Sequence, residues 1–200
     1  HPRNFLLSSY TIIDSLLSDV IARYSDVEDI IFVGNSAGGQ LLNRFAGGSP
    51  ATLNEKIKFI ISAPSSFLYF DENRYEYPNS WTQPTGCINY NNYKYGLDEL
   101  NNYMSVASGD SIIARYHNRN ITYLVGELDY GGTTDCQSMV QGQNRLERSL
   151  TYYNYLQYYF GEQITNTHNI AIINDVSHNY DEIFNSACGR KTIFGHGHCE

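Results

Sequence analysis

The chain has 200 residues, 42% of them hydrophobic, enough for one domain with a continuous core. Its 13 Lys and Arg stand against 21 Asp and Glu, and the resulting net charge of -8 disfavours a nucleic-acid backbone or an anionic membrane as partner. No stretch approaches the roughly 18 consecutive apolar residues of a membrane span.

A helix is predicted over residues 8–24, capped by Ser8 or Ser9, with Ile12, Ile13, Leu16, Leu17, Val20 and Ile21 on one broad face. Ser25-Asp26 ends it. A strand, Ile30 to Val33, runs into Gly34-Asn35-Ser36-Ala37-Gly38, and a helix follows at once, with Leu41, Leu42 and Phe45 on its apolar stripe. Gly47-Gly48-Ser49-Pro50 stops that helix. The second strand is Ile57–Ser62, whose continuous apolar centre suits a parallel sheet covered on both faces. From Ala63 to about Tyr95 the periodicity is lost. Pro64, Pro78, Pro84 and Gly86 interleave with Phe67, Tyr69, Phe70, Tyr75, Tyr77 and Trp81. The stretch leaves a strand at the end where open α/β sheets bind ligands, so it reads as an excursion over the site. A surface insertion without substrate contact is the alternative. The 18 tyrosines of the chain likewise suit a polar-aromatic cleft or a plain surface.

One helix or a pair is predicted over Leu97–His117, with Met104, Ile112, Ile113 and Tyr116 inward. The third strand is Ile121–Val125, followed by Gly126-Glu127-Leu128-Asp129 and a loop rich in Gly and Thr that leads to Cys136. A helix over about Gln143–Phe160 repeats Leu146, Leu150, Tyr153, Leu156 and Tyr159 at helical steps. The fourth strand, Ile170–Ile173, delivers Asp175-Val176-Ser177-His178, and a terminal helix near Tyr180–Ala187 packs Ile183 and Phe184. The alternation predicts four parallel strands joined by right-handed crossovers.

The run Ile30–Gly39 resembles the nucleophile elbow of the α/β-hydrolases, G-x-S-x-G. Such a serine sits on a strained strand-to-helix turn, and Gly34 and Gly38 are expected to make room for neighbouring backbone because they lack Cβ. The resemblance implies an α/β fold with a three-layer α-β-α sheet, mostly parallel, in which the elbow serine follows the fifth of eight strands. These four strands would then be the last four, with the upstream ones missing. Residues 1–200 become the C-terminal portion of a single hydrolase domain with an insertion at about 63–95. An upstream segment or separate chain would complete the sheet, since an uncovered Ile30–Val33 edge exposes unpaired amides. The odd His1-Pro2 start fits a chain that begins after something removed or omitted. A four-strand minimal domain is the alternative.

A serine hydroxyl needs a base, and the base an orienting acid, in the order Ser, acid, His at the C-terminal ends of strands. Ser36, Asp129 and His178 meet that requirement as catalytic residues. The alternative for Ser36 is a helix cap. Asp129 has rivals in Asp135 and Glu127. His178 competes with His168, placed before its strand, and with His196 and His198 in the tail; His117 reads as a surface residue. The Ala37 N–H is the expected oxyanion-hole donor, and the second donor has no counterpart in the chain. His196-Gly197-His198-Cys199 is weighed as a metal site and read as an ordinary terminus. No cofactor and no metal are demanded.

Ser62–Asp71, Gln141-Gly142-Gln143-Asn144-Arg145 and Phe184–Gly189 resemble segments of a poorly characterised microbial branch of the α/β-hydrolases, in which cysteines occur near Cys87, Cys136 and Cys188. With that resemblance, a Cys87–Cys136 bond would tie the insertion to the acid loop, although four cysteines allow three pairings. Asn35 replaces the histidine that often precedes the serine in lipases, so no lipase is implied. The expected activity is hydrolysis of a small-molecule or polymer carboxylic ester through an acyl-enzyme, with a semi-apolar acyl or aryl group received by the insertion. Amidase or acyltransferase chemistry, or a silent hydrolase-fold binding domain, are the alternatives. The cysteines favour a secreted or lumenal protein over a cytosolic one with free thiols, and the sequon at Asn120 adds little to that.

Overall fold

The computed structural model describes residues 7–52 and 56–199, so the His1-Pro2 start lies outside the described residues. Helix α1 spans Ser9–Arg23, and the Ser8 hydroxyl accepts from the Thr11 N–H as its N-cap. Of its predicted apolar face only Leu17 is buried outright, while Ile12 and Leu16 are exposed. Strand β1 (Ile30–Asn35), helix α2 (Ala37–Gly48) and strand β2 (Ile57–Ser62) follow in the expected order. The predicted helical stretch before the third strand splits into one 3₁₀ turn, Met104–Val106, and helix α3 (Gly109–His117).

Within the insertion the chain folds back as a short antiparallel hairpin, β3 (Arg74–Glu76) with β4 (Ser80–Thr82). Strand β5 (Asn120–Gly126), the short helix α4 (Cys136–Met139), helix α5 (Arg145–Phe160) and strand β6 (His168–Ile173) come next. Two helices close the chain, α6 (Tyr180–Asn185) and α7 (Ala187–Phe194), where the sequence pattern predicts one. Ser186 makes the second, because its hydroxyl accepts from the Gly189 N–H and restarts the helix after α6 ends.

The main sheet has the order β1-β2-β5-β6, and every pairing in it is parallel. All four strands therefore end at one rim, and the segments holding Ser36, Asp129 and His178 leave from it. The sheet is mostly parallel and belongs in an α/β fold. Helices α1, α2, α3 and α5 cover one face around Phe45, Phe59, Ile61 and Tyr123. The other face is covered thinly, Ile60, Leu124 and Ile173 meeting Ile183 and Cys188 of α6 and α7.

The first aromatics of the insertion belong to the core. Phe67, Leu68, Tyr69 and Phe70 are buried, with Phe67 stacked on Tyr152 and Tyr69 packed on Tyr155 of α5. For these four residues neither a place over the site nor a place on the surface holds. The tyrosines at the centre of the fold, Tyr69, Tyr116, Tyr123, Tyr152 and Tyr155, are core residues with hydroxyls directed to internal partners in most cases. Helix α5 also buries a different face from the predicted stripe: Tyr152, Tyr155 and Leu156 are inside, whereas Leu146, Leu150 and Tyr153 lie on its flank. It is buried by the sheet on one side and by the insertion on the other, so a single-stripe pattern misplaces its centre.

Four arginines, Arg44, Arg74, Arg119 and Arg148, are among the bulkiest fully buried side chains. Each caps loop carbonyls. Arg44 donates to Ser66 O and Lys94 O, Arg148 to Ser65 O, Gly142 O and Thr133 O, and Arg119 to Ala46 O and Ser49 O. Irregular backbone can be buried only if its carbonyls find donors, and a planar five-donor guanidinium supplies several at once.

Candidate active site

Ser36 sits between β1 and α2 with φ 53° and ψ −112°, a region that costs a non-glycine residue roughly 1–3 kcal/mol. The surrounding backbone holds it there. Its N–H donates to Ser62 O at 2.9 Å, its carbonyl accepts from the Gln40 N–H at 2.9 Å, and Asn35 Oδ1 accepts from the Ser62 hydroxyl at 2.9 Å. The Ser36 hydroxyl makes no helix-capping hydrogen bond, which removes the capping alternative.

The steric expectation holds for one glycine of the pair. A Cβ on Gly34 would lie 2.6 Å from the Gly38 carbonyl, so β1 and α2 approach this closely only with glycine there. A Cβ on Gly38 would meet nothing within 4 Å. The close approach runs from Gly34 onto the Gly38 backbone and makes no demand on Gly38 itself. Ala37 opens α2, and as its first residue it has no carbonyl inside the helix for its N–H.

Asp129 and His178 meet at the same rim. His178 Nδ1 lies 2.7 Å from Asp129 Oδ2, with Asp129 1% exposed and His178 29% exposed. Their two loops are clasped by backbone. Leu128 N donates to Val176 O at 2.8 Å, and Asp175 N donates to Glu127 Oε2 at 3.0 Å. Gly126 permits the clasp, since a Cβ there would lie 2.3 Å from Val176 O. Among the described residues, no hydrogen bond joins His178 to Ser36.

A partner that the sequence did not single out completes the acid's surroundings. Arg145, the first residue of α5, places Nη1 3.2 Å from Asp129 Oδ1 and Nε 3.1 Å from the Ser65 hydroxyl. The two oxygens of Asp129 are thus shared between His178 and Arg145. The Leu146 N–H also donates to Asp129 O at 3.2 Å. The available signal was the Gln141–Arg145 segment, noted for its resemblance alone.

The rivals have other roles. Asp135 caps α4, accepting from the Ser138 N–H at 2.9 Å and from the Tyr95 hydroxyl at 2.9 Å. Burial raises its pKa, but these hydrogen bonds outweigh burial and hold the carboxyl below its ordinary value. Glu127 holds the Asp175 N–H. His168 is the first residue of β6 instead of preceding the strand, and it is fully buried. Burial pushes its pKa down to about 4, and its ring nitrogens pair with the Tyr123 hydroxyl and Tyr116 O. His117 packs its ring 4.9 Å from that of Phe160. His196 and His198 are exposed, and Cys199 is bonded to Cys188, which leaves no thiolate there for a metal. Among the described residues, no group of three or more His, Cys, Asp or Glu is placed to hold a metal ion. The Cys87–Cys136 bond is present and ties the insertion to the start of α4.

No protein-family model matches the chain, and no curated protein matches it. Among solved structures it is similar to LpqC, a poly(3-hydroxybutyrate) depolymerase from Bordetella parapertussis, with a TM-score of 0.64 and 18% identity over 94% of this chain and 57% of that one. A structure from a study of carboxylesterases of the ammonia-oxidising thaumarchaeon Nitrososphaera gargenis matches at a TM-score of 0.42 and 8% identity, covering 94% of this chain and 71% of that one. The first supports the fold alone: a mostly parallel α/β sheet of the α/β-hydrolase type. The chain spans 57% of the depolymerase it matches.

Proposed function

We propose that the chain is a serine hydrolase that cleaves a carboxylic ester through an acyl-enzyme, with Ser36 as nucleophile, His178 as base and Asp129 as orienting acid. The observation that carries this reading is the 2.7 Å contact between His178 Nδ1 and Asp129 Oδ2 at the rim where the Ser36 turn leaves the sheet. With Nδ1 as donor to the carboxylate, Nε2 is the free base. It takes the Ser36 proton as Oγ attacks the carbonyl carbon, and the Ala37 N–H faces the developing oxyanion. The imidazolium then gives its proton to the leaving alkoxide. Water, activated by the same ring, releases the acid.

The hydrogen bond from Ser36 to His178 is the remaining element, and contacts of this kind often tighten only around substrate. Its absence also favours a second reading, a silent hydrolase-fold domain used for binding. A second oxyanion donor and the strands beyond β1 belong, in this proposal, to an upstream segment or a separate chain. Support comes from the edge position of β1, where Val33 is 40% exposed, and from the 57% span of the depolymerase. The fold neighbour named for a polyester makes a polymer ester as eligible as a small one. The same groups serve amide cleavage or acyl transfer. Two disulfides favour an oxidising, secreted or lumenal setting, and among the described residues no helix is long and apolar enough to cross a membrane.

Fluorophosphonate labelling of the native protein, with the adduct mapped, is the test. A label on Ser36 together with turnover of p-nitrophenyl esters is the expected result. Labelling of no serine, in a protein that melts cooperatively, would favour the silent domain.

A further inference from the structure

A cavity of about 500 Å³ lies between the β3–β4 hairpin and the start of α5. Ser36, Ala37, Asp129 and His178 take no part in its lining. We infer that this cavity is a binding site for a neutral saccharide. The inference is independent of the hydrolase reading, because it uses none of the same residues.

The chemistry of the walls selects the ligand class. Glu76 and Glu147 supply carboxylates, Gln83 and Gln143 supply amides, and Thr85 and Thr151 supply hydroxyls. Tyr75 and Tyr77 of the hairpin also line it, 38% and 87% exposed, so aromatic surface is open to solvent beside it. A pyranose carries hydroxyls around its edge and C–H groups on its faces. Carboxylates and amides can bind the edge, and an electron-rich aromatic face can accept the C–H groups.

Charge argues against an anion. The one basic residue of the lining, Arg74, is buried, and its guanidinium is committed to Asp71 O, Asn73 O and the Asn91 side chain. Its Nε is a buried donor with no hydrogen-bond partner, so a residue of this wall retains unmet donor capacity. Neutral donors and acceptors outnumber the two carboxylates, which suits a polyhydroxylated ligand better than a simple cation. The volume falls in the range of small-molecule sites, roughly 300–1,000 Å³.

The walls are also fixed in advance. Cys87, just beyond the hairpin, is bonded to Cys136, just before Met139 of the opposite wall. Gln137 Nε2 donates to Ile88 O at 3.1 Å across the same gap. Trp81 of β4 stacks on Tyr158 of α5 with ring centroids 5.0 Å apart. A pocket held in this way loses little conformational freedom when it is filled.

The test is saturation-transfer NMR on the native protein with cellohexaose, xylohexaose and mannohexaose, and with tetramethylammonium as the cationic probe. At least one hexasaccharide is expected to bind. The double variant Tyr77→Ala/Gln83→Ala, which changes two exposed side chains, should weaken its Kd about tenfold or more. Tyr24→Ala, on the tail of α1, should leave it unchanged, and thermal melts should coincide for all three proteins. Binding of none of the hexasaccharides, equal binding by the double variant, or binding of tetramethylammonium alone would each overturn the proposal.

Discussion

Asp129 and His178 leave β5 and β6, which are neighbours in the sheet, and their loops are joined by backbone hydrogen bonds and by the carboxylate–imidazole contact. Ser36 leaves β1, an edge strand, and β2 stands between it and β5. At a strand spacing of about 4.8 Å, the imidazole must reach back across the end of β2 to serve the hydroxyl. The acid–histidine pair is therefore a local construction of two adjacent parallel strands. The serine turn is held by its own backbone hydrogen bonds, and in the proposed mechanism it meets the pair only through the reach of one side chain. In the proposed mechanism the base and the nucleophile are each positioned by their own loops, and the contact between them is the step left for substrate to complete.

Removing one group from the serine turn and one from the acid–histidine pair tests whether the two act together. Ser36→Ala should lower p-nitrophenyl ester turnover by about 10⁶-fold, and Asp129→Asn by about 10⁴-fold. Loss in the second variant without loss in the first would mean that the acid–histidine pair serves something other than Ser36.

The strand that delivers His178 begins with His168, and that end of it should respond to acid. His168 is neutral in the fold with its pKa lowered to about 4, against an ordinary value of 6.5. The unfolded chain therefore takes up a proton that the folded chain refuses. This stability is present above pH 6.5 and is lost as pH falls towards 4, by about 3 kcal/mol. Chemical denaturation at pH 7 and pH 4.5 should show the loss, and His168→Asn should flatten it.

The glycines sharpen the contrast at a smaller scale. Gly126→Ala drives a Cβ into Val176 O, so it should cost about 1–3 kcal/mol and separate the acid and histidine loops. Gly38→Ala enters open space on a helix and should be neutral or slightly stabilising by urea denaturation. Arg145→Met tests the acid's second partner. Without its bond to Asp129 Oδ1, kcat should fall about tenfold with KM unchanged, and Arg145→Lys should recover part of the loss. An altered KM would place Arg145 among the substrate contacts instead.

Much of the frame was legible in the residues. The four parallel strands announced themselves because Ile30–Val33 and Ile57–Ser62 are short apolar runs followed at once by turn-formers. The strained serine was legible because glycine was available where Gly34 approaches the Gly38 backbone. The Asp129–His178 contact followed from strand order, since loops leaving one rim of a parallel sheet converge. These are local signals: periodicity, turn chemistry and position relative to a strand end are written within about ten residues of chain.

The destination of the aromatics was decided elsewhere. Phe67, Tyr69 and Phe70 carry no periodicity, and the burial of Tyr152 and Tyr155 opposite them depends on contacts more than eighty residues away in the chain. The loop-capping arginines, the sharing of Asp129 with Arg145, and the walls of the hairpin cavity are of the same kind. A charged or aromatic side chain has the same identity at a surface and in a core. Its role is set by the carbonyls and rings that the completed fold brings against it, and those neighbours exist only after the long loops have closed.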